Sequence, residues 1–231
     1  NDNIRDGLRG NVFNNEETGY VSGTSDLELT IEDAFLGSSG TWCHTPTQTV
    51  NYASCHDNMT LFDRLQNSRP DASQEDLIKM NNLAATIYMT SQGIPFIHAG
   101  EDMLRTKVKE DGTFDHNSYS SGDEINSLKW DNLDNEDYRD VVDYYSGLIE
   151  FRKNHAALRL TTKADVNAYV KEEWVAENVV LFNISTSEIE DEVSDGIVVI
   201  FNSNPTEQKF SLYDKGVSEG EWQICINDED A

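Results

Sequence analysis

Two short apolar runs constrain this chain more than anything else in it. Thr49-Val50-Asn51-Tyr52-Ala53-Ser54-Cys55 climbs to the polar pair His56-Asp57, and Gly93-Ile94-Pro95-Phe96-Ile97-His98-Ala99-Gly100 closes on Glu101-Asp102. Helical patterns separate them. Thr60 and Asp63 stand at cap-like spacing around Phe62 and Leu65. Ser73 with Asp76 then opens a longer helix, where Leu77, Met80, Leu83, Ala84, Ile87 and Tyr88 recur at helical spacing up to Gly93. Strand, helix, strand, helix in this order implies parallel strands with right-handed crossovers. Parallel strands end on one face, so His56, Asp57, Glu101 and Asp102 are expected to converge there, where barrel enzymes present their polar groups.

The rest of the chain falls around that unit. Residues 1–24 are polar and hold Gly7, Gly10, Gly19 and Gly23, which predicts a long loop with room for one short helix. Ser25 and Glu28 have capping-box spacing before Leu27, Ile31, Ala34 and Phe35, and Gly37 ends that helix. Residues 103–134 read as a long polar loop, a length that in compact domains is usually functional or disordered. A helix at 135–153 carries Tyr138, Val141, Val142, Tyr145, Leu148 and Ile149 on one face, and its basic last turn (Arg152, Lys153) suits the helix dipole. Beyond about residue 160 the period changes. Val179-Val180-Leu181-Phe182, Ile197-Val198-Val199-Ile200-Phe201, Phe210-Ser211-Leu212-Tyr213 and Trp222-Gln223-Ile224-Cys225-Ile226 are short runs parted by turn residues, which predicts a small antiparallel β domain.

Charge narrows the function. Asp and Glu number 43 against 17 Lys and Arg, a net −26, which argues against nucleic acid or an anionic membrane as partner and suits a neutral ligand such as a sugar. Solubility alone also accounts for an acidic surface. The three cysteines are too few and too scattered for a disulfide framework. No run approaches the length of a transmembrane helix. The opening Asn1-Asp2-Asn3-Ile4-Arg5 lacks a Met and reads as that of a fragment or a processed product.

Spacing leaves the chemistry open at this point. Asp57 is either a ligand-facing carboxylate or no more than the N-cap of the following helix, and His56 either its companion or a packed rim residue. Cys43-His44 and Cys55-His56 suggest zinc, but neighbours on a strand point to opposite faces and the cysteine spacing is wrong. No Gly-x-Ser-x-Gly elbow, dinucleotide fingerprint or P-loop is present. Of the aromatics, Tyr119 alone stands out as a ligand candidate.

Taken together, the words resemble the alpha-amylase superfamily of glycoside hydrolases and, within it, the type I pullulanases. Val50 to Asn58, with Thr60-Leu61-Phe62-Asp63 behind it, resembles the family's fourth conserved region at barrel strand seven, and Gly93 to Asp102 resembles strand eight. Leu104-Arg105-Thr106-Lys107, His116-Asn117-Ser118-Tyr119 and Asp123-Glu124-Ile125-Asn126 are similar to pullulanase wording. The resemblance implies an α/β fold: the C-terminal portion of a (β/α)8 TIM barrel over 1–160, from after strand six through helix eight. A small antiparallel β-sandwich domain over 161–231, itself incomplete, would follow. It implies a retaining hydrolase of α-1,6 branch linkages in pullulan or starch-type α-glucans, with Asp57 stabilising the transition state and His56 binding sugar hydroxyls. Asn117, Tyr119 and Asp123 would line the substrate groove. The nucleophile and general acid would come from strands four and five, which match nothing in this chain. The fragment alone is therefore expected to be inactive without the upstream part of its polypeptide. Calcium occurs in relatives, but no ligand set can be assembled here; an extracellular or cell-surface bacterial location is expected, with the cytoplasm as the alternative. Two other readings stand: a non-catalytic glucan-binding fragment, or part of an isoamylase or α-amylase.

Overall fold

The structure is a computed structural model that describes residues 1–38 and 41–231. Asn1 caps helix α1 (Asp2–Arg9), its side chain accepting from the Ile4 N–H, and Gly10 ends it at φ 91°. The next helix, α2 (Glu28–Phe35), does not begin at the predicted capping box. Asp26 adopts φ 63°, Leu27 holds the cap position without a side-chain bond, and Glu28 Oε1 instead accepts from the Asn178 N–H at 2.6 Å. The glutamate that looked like a cap partner fastens α2 to a distant turn.

The first apolar run forms a two-residue strand, β1 (Val50–Asn51). Two helices follow as read: α3 (Leu61–Ser68), capped by Thr60, and α4 (Gln74–Thr90), capped by Ser73, each hydroxyl accepting an N–H three residues on. Such caps contribute about 1 kcal/mol each. The second run forms β2 (Ile94–Pro95), parallel to β1 with Val50 opposite Ile94. Parallel pairing thus holds, but the strands are far shorter than the apolar runs that predicted them, and of the four paired residues only Asn51 is buried. Val50, Ile94 and Phe96 are 39%, 48% and 44% exposed. Opposite β2, β1 is met by the amino group of Asn1, which donates to Val50 O at 2.8 Å.

Helices α5 (Asp123–Asn126), α6 (Glu136–Asn154) and α7 (Lys163–Tyr169) follow. In the last turn of α6, Arg152 does not stay at the surface as a dipole partner. It is buried and donates to Met89 O, Ser91 O and Gly93 O, clamping the entry to β2. Strands β3 (Val170–Ala176), β4 (Val179–Ser185) and β5 (Gly196–Asn202) form one antiparallel sheet in that order. The sequence pattern missed β3, whose Lys171, Glu172 and Glu173 hide its period. The runs at 210–213 and 222–226, read as strands, form no ladder. Among the described residues a single three-stranded sheet therefore stands where a two-sheet sandwich was expected.

This sheet shares its core with the helices. Phe35 of α2 stacks on Phe182 of β4 at 3.8 Å between ring centroids, with Phe201 edge-on. The Tyr20 hydroxyl lies 3.0 Å from both Asn178 O and Phe201 O. One apolar cluster runs from Ile4 in α1 through Leu148 in α6 to Phe201 in β5.

Candidate functional site

Because β1 and β2 are parallel, the segments leaving their C-terminal ends share one side of the molecule. Ser54 and Glu101 stitch these segments together at 2.6 Å. Glu101 does not face outward with His56 and Asp57, as strand order suggested. Gly100 turns the chain inward at φ 86°, and Glu101 is buried, accepting from Ser54, Tyr88 (2.7 Å) and Tyr145 (3.2 Å) hydroxyls. Burial raises its pKa despite those three donors. His98 beside it is buried too, and desolvation followed by the positive charges of Arg105 and Lys107 pushes it down to about 4. It is a neutral imidazole at ordinary pH, 3.4 Å from Ser54 Oγ and 3.5 Å from Arg105 Nη1.

His56 and Asp57 are the outward-facing pair. Their side chains are 88% and 73% exposed, with His56 Nε2 3.6 Å from Asp57 Oδ2. Asp57 is not the cap of α3; Thr60 takes that position, and Asn58 between them lies at φ 64°. The Cys55 thiol turns toward Asp57 O at 4.0 Å. Among the described residues no three His, Cys, Asp or Glu side chains gather as a metal site would need. No helix there is long and apolar enough to cross a membrane.

The long segment after Met103 is ordered by polar contacts that the sequence pattern did not single out. Asp63, buried in the first turn of α3, accepts from the Thr106 hydroxyl and, at 2.8 Å, from the Lys107 N–H. Burial lifts its pKa while those donors oppose the rise. The Arg105 guanidinium donates to Ala99 O and Asn126 O, and Asn126 Nδ2 donates to Ser118 O and Ser121 O. Asp115 accepts from the Ser121 hydroxyl and the Asn117 N–H, and these contacts hold it below its usual range. Lys107 then spans the gap: its ammonium donates to Ser118 Oγ at 2.7 Å and to His56 O at 3.4 Å. Asn117 and Tyr119 flank that serine; Asn117 is exposed and Tyr119 is 86% exposed. Asp123 begins α5, exposed, in the helix whose Asn126 holds the same turn. The loop of His56-Asp57 and the loop of Asn117-Tyr119 are thereby tied through one lysine.

The signal for Lys107, Arg105 and Asn126 lay in words that sequence reading quoted without assigning them a task. Asp63 was read only for its cap spacing. Their partners lie far off in the chain, and periodicity carries no trace of them.

No family model matches the chain. A pullulanase of Bacillus subtilis (strain 168) is 33% identical over 218 residues, covering 92% of this chain and 29% of that protein. The solved pullulanase from Bacillus acidopullulyticus superposes with a TM-score of 0.83 at 37% identity, over 89% of this chain and 24% of the other. A pullulanase from Paenibacillus barengoltzii, solved in complex with maltohexaose and alpha-cyclodextrin, gives 0.81 at 36% identity, over 89% and 31%. The chain thus spans under a third of the length of each, and identity and backbone agree across nearly all of it. The chain belongs to the type I pullulanase family.

Proposed function

We propose that these residues form the sugar-gripping corner of a retaining glycoside hydrolase that cleaves α-1,6 branch linkages in pullulan or starch-type α-glucans. The observation that carries the reading is the exposed His56-Asp57 pair at the end of β1, where neither side chain is used to hold the fold. In this reading Asp57 stabilises the oxocarbenium-like transition state through the sugar hydroxyls, and His56 binds beside it. Hydrogen bonds to sugar hydroxyls strengthen as that charge develops. Asn117, Tyr119 and Asp123 supply the groove wall, Tyr119 offering an aromatic face. The solved Paenibacillus relative with maltohexaose supports an α-glucan as ligand.

Retaining hydrolysis needs a nucleophile and an acid, two carboxyl groups about 5 Å apart. Glu101, the carboxylate at the other strand end, is turned into the core and supplies neither. The 231 residues are therefore proposed to bind without cutting. The test is a titration with maltotriose followed by NMR of the imidazole and Asp57 amide. Shifts confined to this corner, lost in Asp57→Ala and His56→Ala, are expected, together with no release of maltotriose from pullulan. Reproducible hydrolysis by the 231-residue chain, or binding indifferent to both substitutions, would sink the assignment.

A further inference from the structure

We infer that Lys107 is the positioning residue of this corner, its ammonium holding the His56-Asp57 loop against the loop of Asn117 and Tyr119. The inference rests on the glucan-gripping reading above. Lys107 is 3% exposed, yet no carboxylate among the described residues lies within ion-pair distance of its ammonium. Burial and the neighbouring Arg105 push its pKa down, and the charges of Asp63 and Asp115, beyond ion-pair distance, offset this only in part. An unpaired buried charge is costly, and a chain keeps one where it does something a neutral side chain cannot.

What it does is set by geometry. The backbone of Lys107 is clamped to α3 through Asp63, and its carbonyl accepts from the Asp115 N–H at 2.8 Å. The stem therefore starts from a fixed point, and the tip holds two neutral acceptors, Ser118 Oγ and His56 O, from separate loops. An ammonium carries three donors and no acceptor, so it can hold both at once. The carbonyl it holds belongs to the residue whose imidazole faces outward, and Asp57 follows directly. A loop shift of about 1 Å at His56 O moves both side chains out of line with a bound sugar, a displacement of the size that costs about 100-fold in rate.

Lys107→Met keeps the stem and removes the donors; Ser118→Ala removes one acceptor and leaves the lysine. Backbone order parameters by NMR read the result directly. In the unmodified chain His56-Asp57 and residues 117–119 are expected near the rigid value of about 0.85, and Lys107→Met should drop both loops below about 0.6. Ser118→Ala should loosen residues 117–119 alone, and Lys107→Arg should restore order at both. Maltotriose binding should weaken about tenfold in Lys107→Met and recover in Lys107→Arg, while α4 and α6 stay as they were. Unchanged loops in Lys107→Met, loosening that spreads equally through α4 and α6, or an unmodified chain already mobile at both loops would overturn the inference. Should Lys107→Met fail to fold, Ser118→Ala decides alone. An unmodified chain with ordered loops that binds no maltotriose defeats the glucan reading and leaves the tie standing.

Discussion

Two glutamates with opposite electrostatics show how the residue scale sets behaviour with pH. Glu192, in the β4–β5 loop, is almost wholly buried at its carboxylate and accepts from His155 Nδ1 (2.7 Å), the Ala157 N–H (2.8 Å) and the Ser194 N–H (3.0 Å). Burial opposes its charge, but those donors together hold its pKa below the ordinary 4.5. A depressed folded pKa gives stability that is present above 4.5 and lost as pH falls through the folded value. Glu101 runs the other way. Its raised folded pKa means the unfolded chain releases the proton first, so its contribution to stability falls as pH rises above 4.5. Urea titrations across pH 3–7 should therefore show Glu192→Gln flattening the acid-side loss, and Glu101→Gln gaining on the parent chain as pH rises. Glu101→Ala, leaving the buried Tyr88 and Tyr145 hydroxyls without the carboxylate they donate to, should cost about 3 kcal/mol. Equal stability of Glu101→Gln and parent at every pH would show that the carboxylate is not desolvated as described. Neither role was legible in the sequence. Glu101 was read as a site carboxylate because it ends an apolar run, while Tyr88, Tyr145 and Ser54, which claim it, lie 13, 44 and 47 residues away.

At the scale of elements the sequence was informative wherever the determinant is local. Thr60 and Ser73 cap the helices they were expected to cap, and the apolar period of α4 predicted its buried Leu77, Ala84, Ile87 and Tyr88. Ser25 failed because Glu28 is claimed by Asn178, 150 residues away. The segments at 210–213 and 222–226 failed although β5, among the described residues, pairs with β4 alone and leaves its other edge open, so an apolar run beside a free edge is not enough to make a strand. The outward-facing position of His56 and Asp57 followed from strand order, whereas the contacts of Lys107 to Ser118 and to His56 O did not. The β1–β2 pair itself depends on a glycine. Gly93 sits at φ 107°, its carbonyl held by Arg152, and a Cβ there would meet Thr49 Cγ2 at 2.6 Å and Asn51 Nδ2 at 3.2 Å. Gly93→Ala combines a strained conformation with a clash against the partner strand, and should cost about 2–3 kcal/mol in thermal or urea unfolding. Loss of the Ile94 N–H to Thr49 O bond should accompany it, visible as faster amide exchange at Ile94. A cost below about 0.5 kcal/mol, the level of an ordinary surface change, would mean the strand entry relaxes freely.

Across the whole molecule, several basic side chains turn inward, whereas, among the described residues, only Asp63 and Glu101 of the acids are buried as whole residues. Arg9, Arg64, Arg152 and Lys107 are all buried and donate to main-chain carbonyls: Arg9 to Met59 O, Arg64 to those of Arg9, Asn11, Asn14 and Glu17, Arg152 around Gly93, Lys107 at His56. Using basic side chains as loop ties leaves the net −26 mostly uncompensated at the surface. Copies of the chain therefore repel one another over a distance set by ionic strength, about 30 Å at 0.01 M and 3 Å at 1 M. That repulsion masks an opposing feature. Val50, Ile94 and Phe96 expose apolar surface on a short parallel pair, the kind of edge that joins to another chain when nothing keeps it away. Salt should then switch association on. Sedimentation is expected to show a monomer at about 0.01 M salt and a growing share of larger species toward about 1 M, where the screening length falls tenfold. Ile94→Lys, which puts a cation on that face without touching the buried ties, should keep the chain monomeric at both concentrations. A parent chain that stays monomeric throughout would show the edge to be protected by its own geometry. Association that persists in Ile94→Lys would place the contact on another surface.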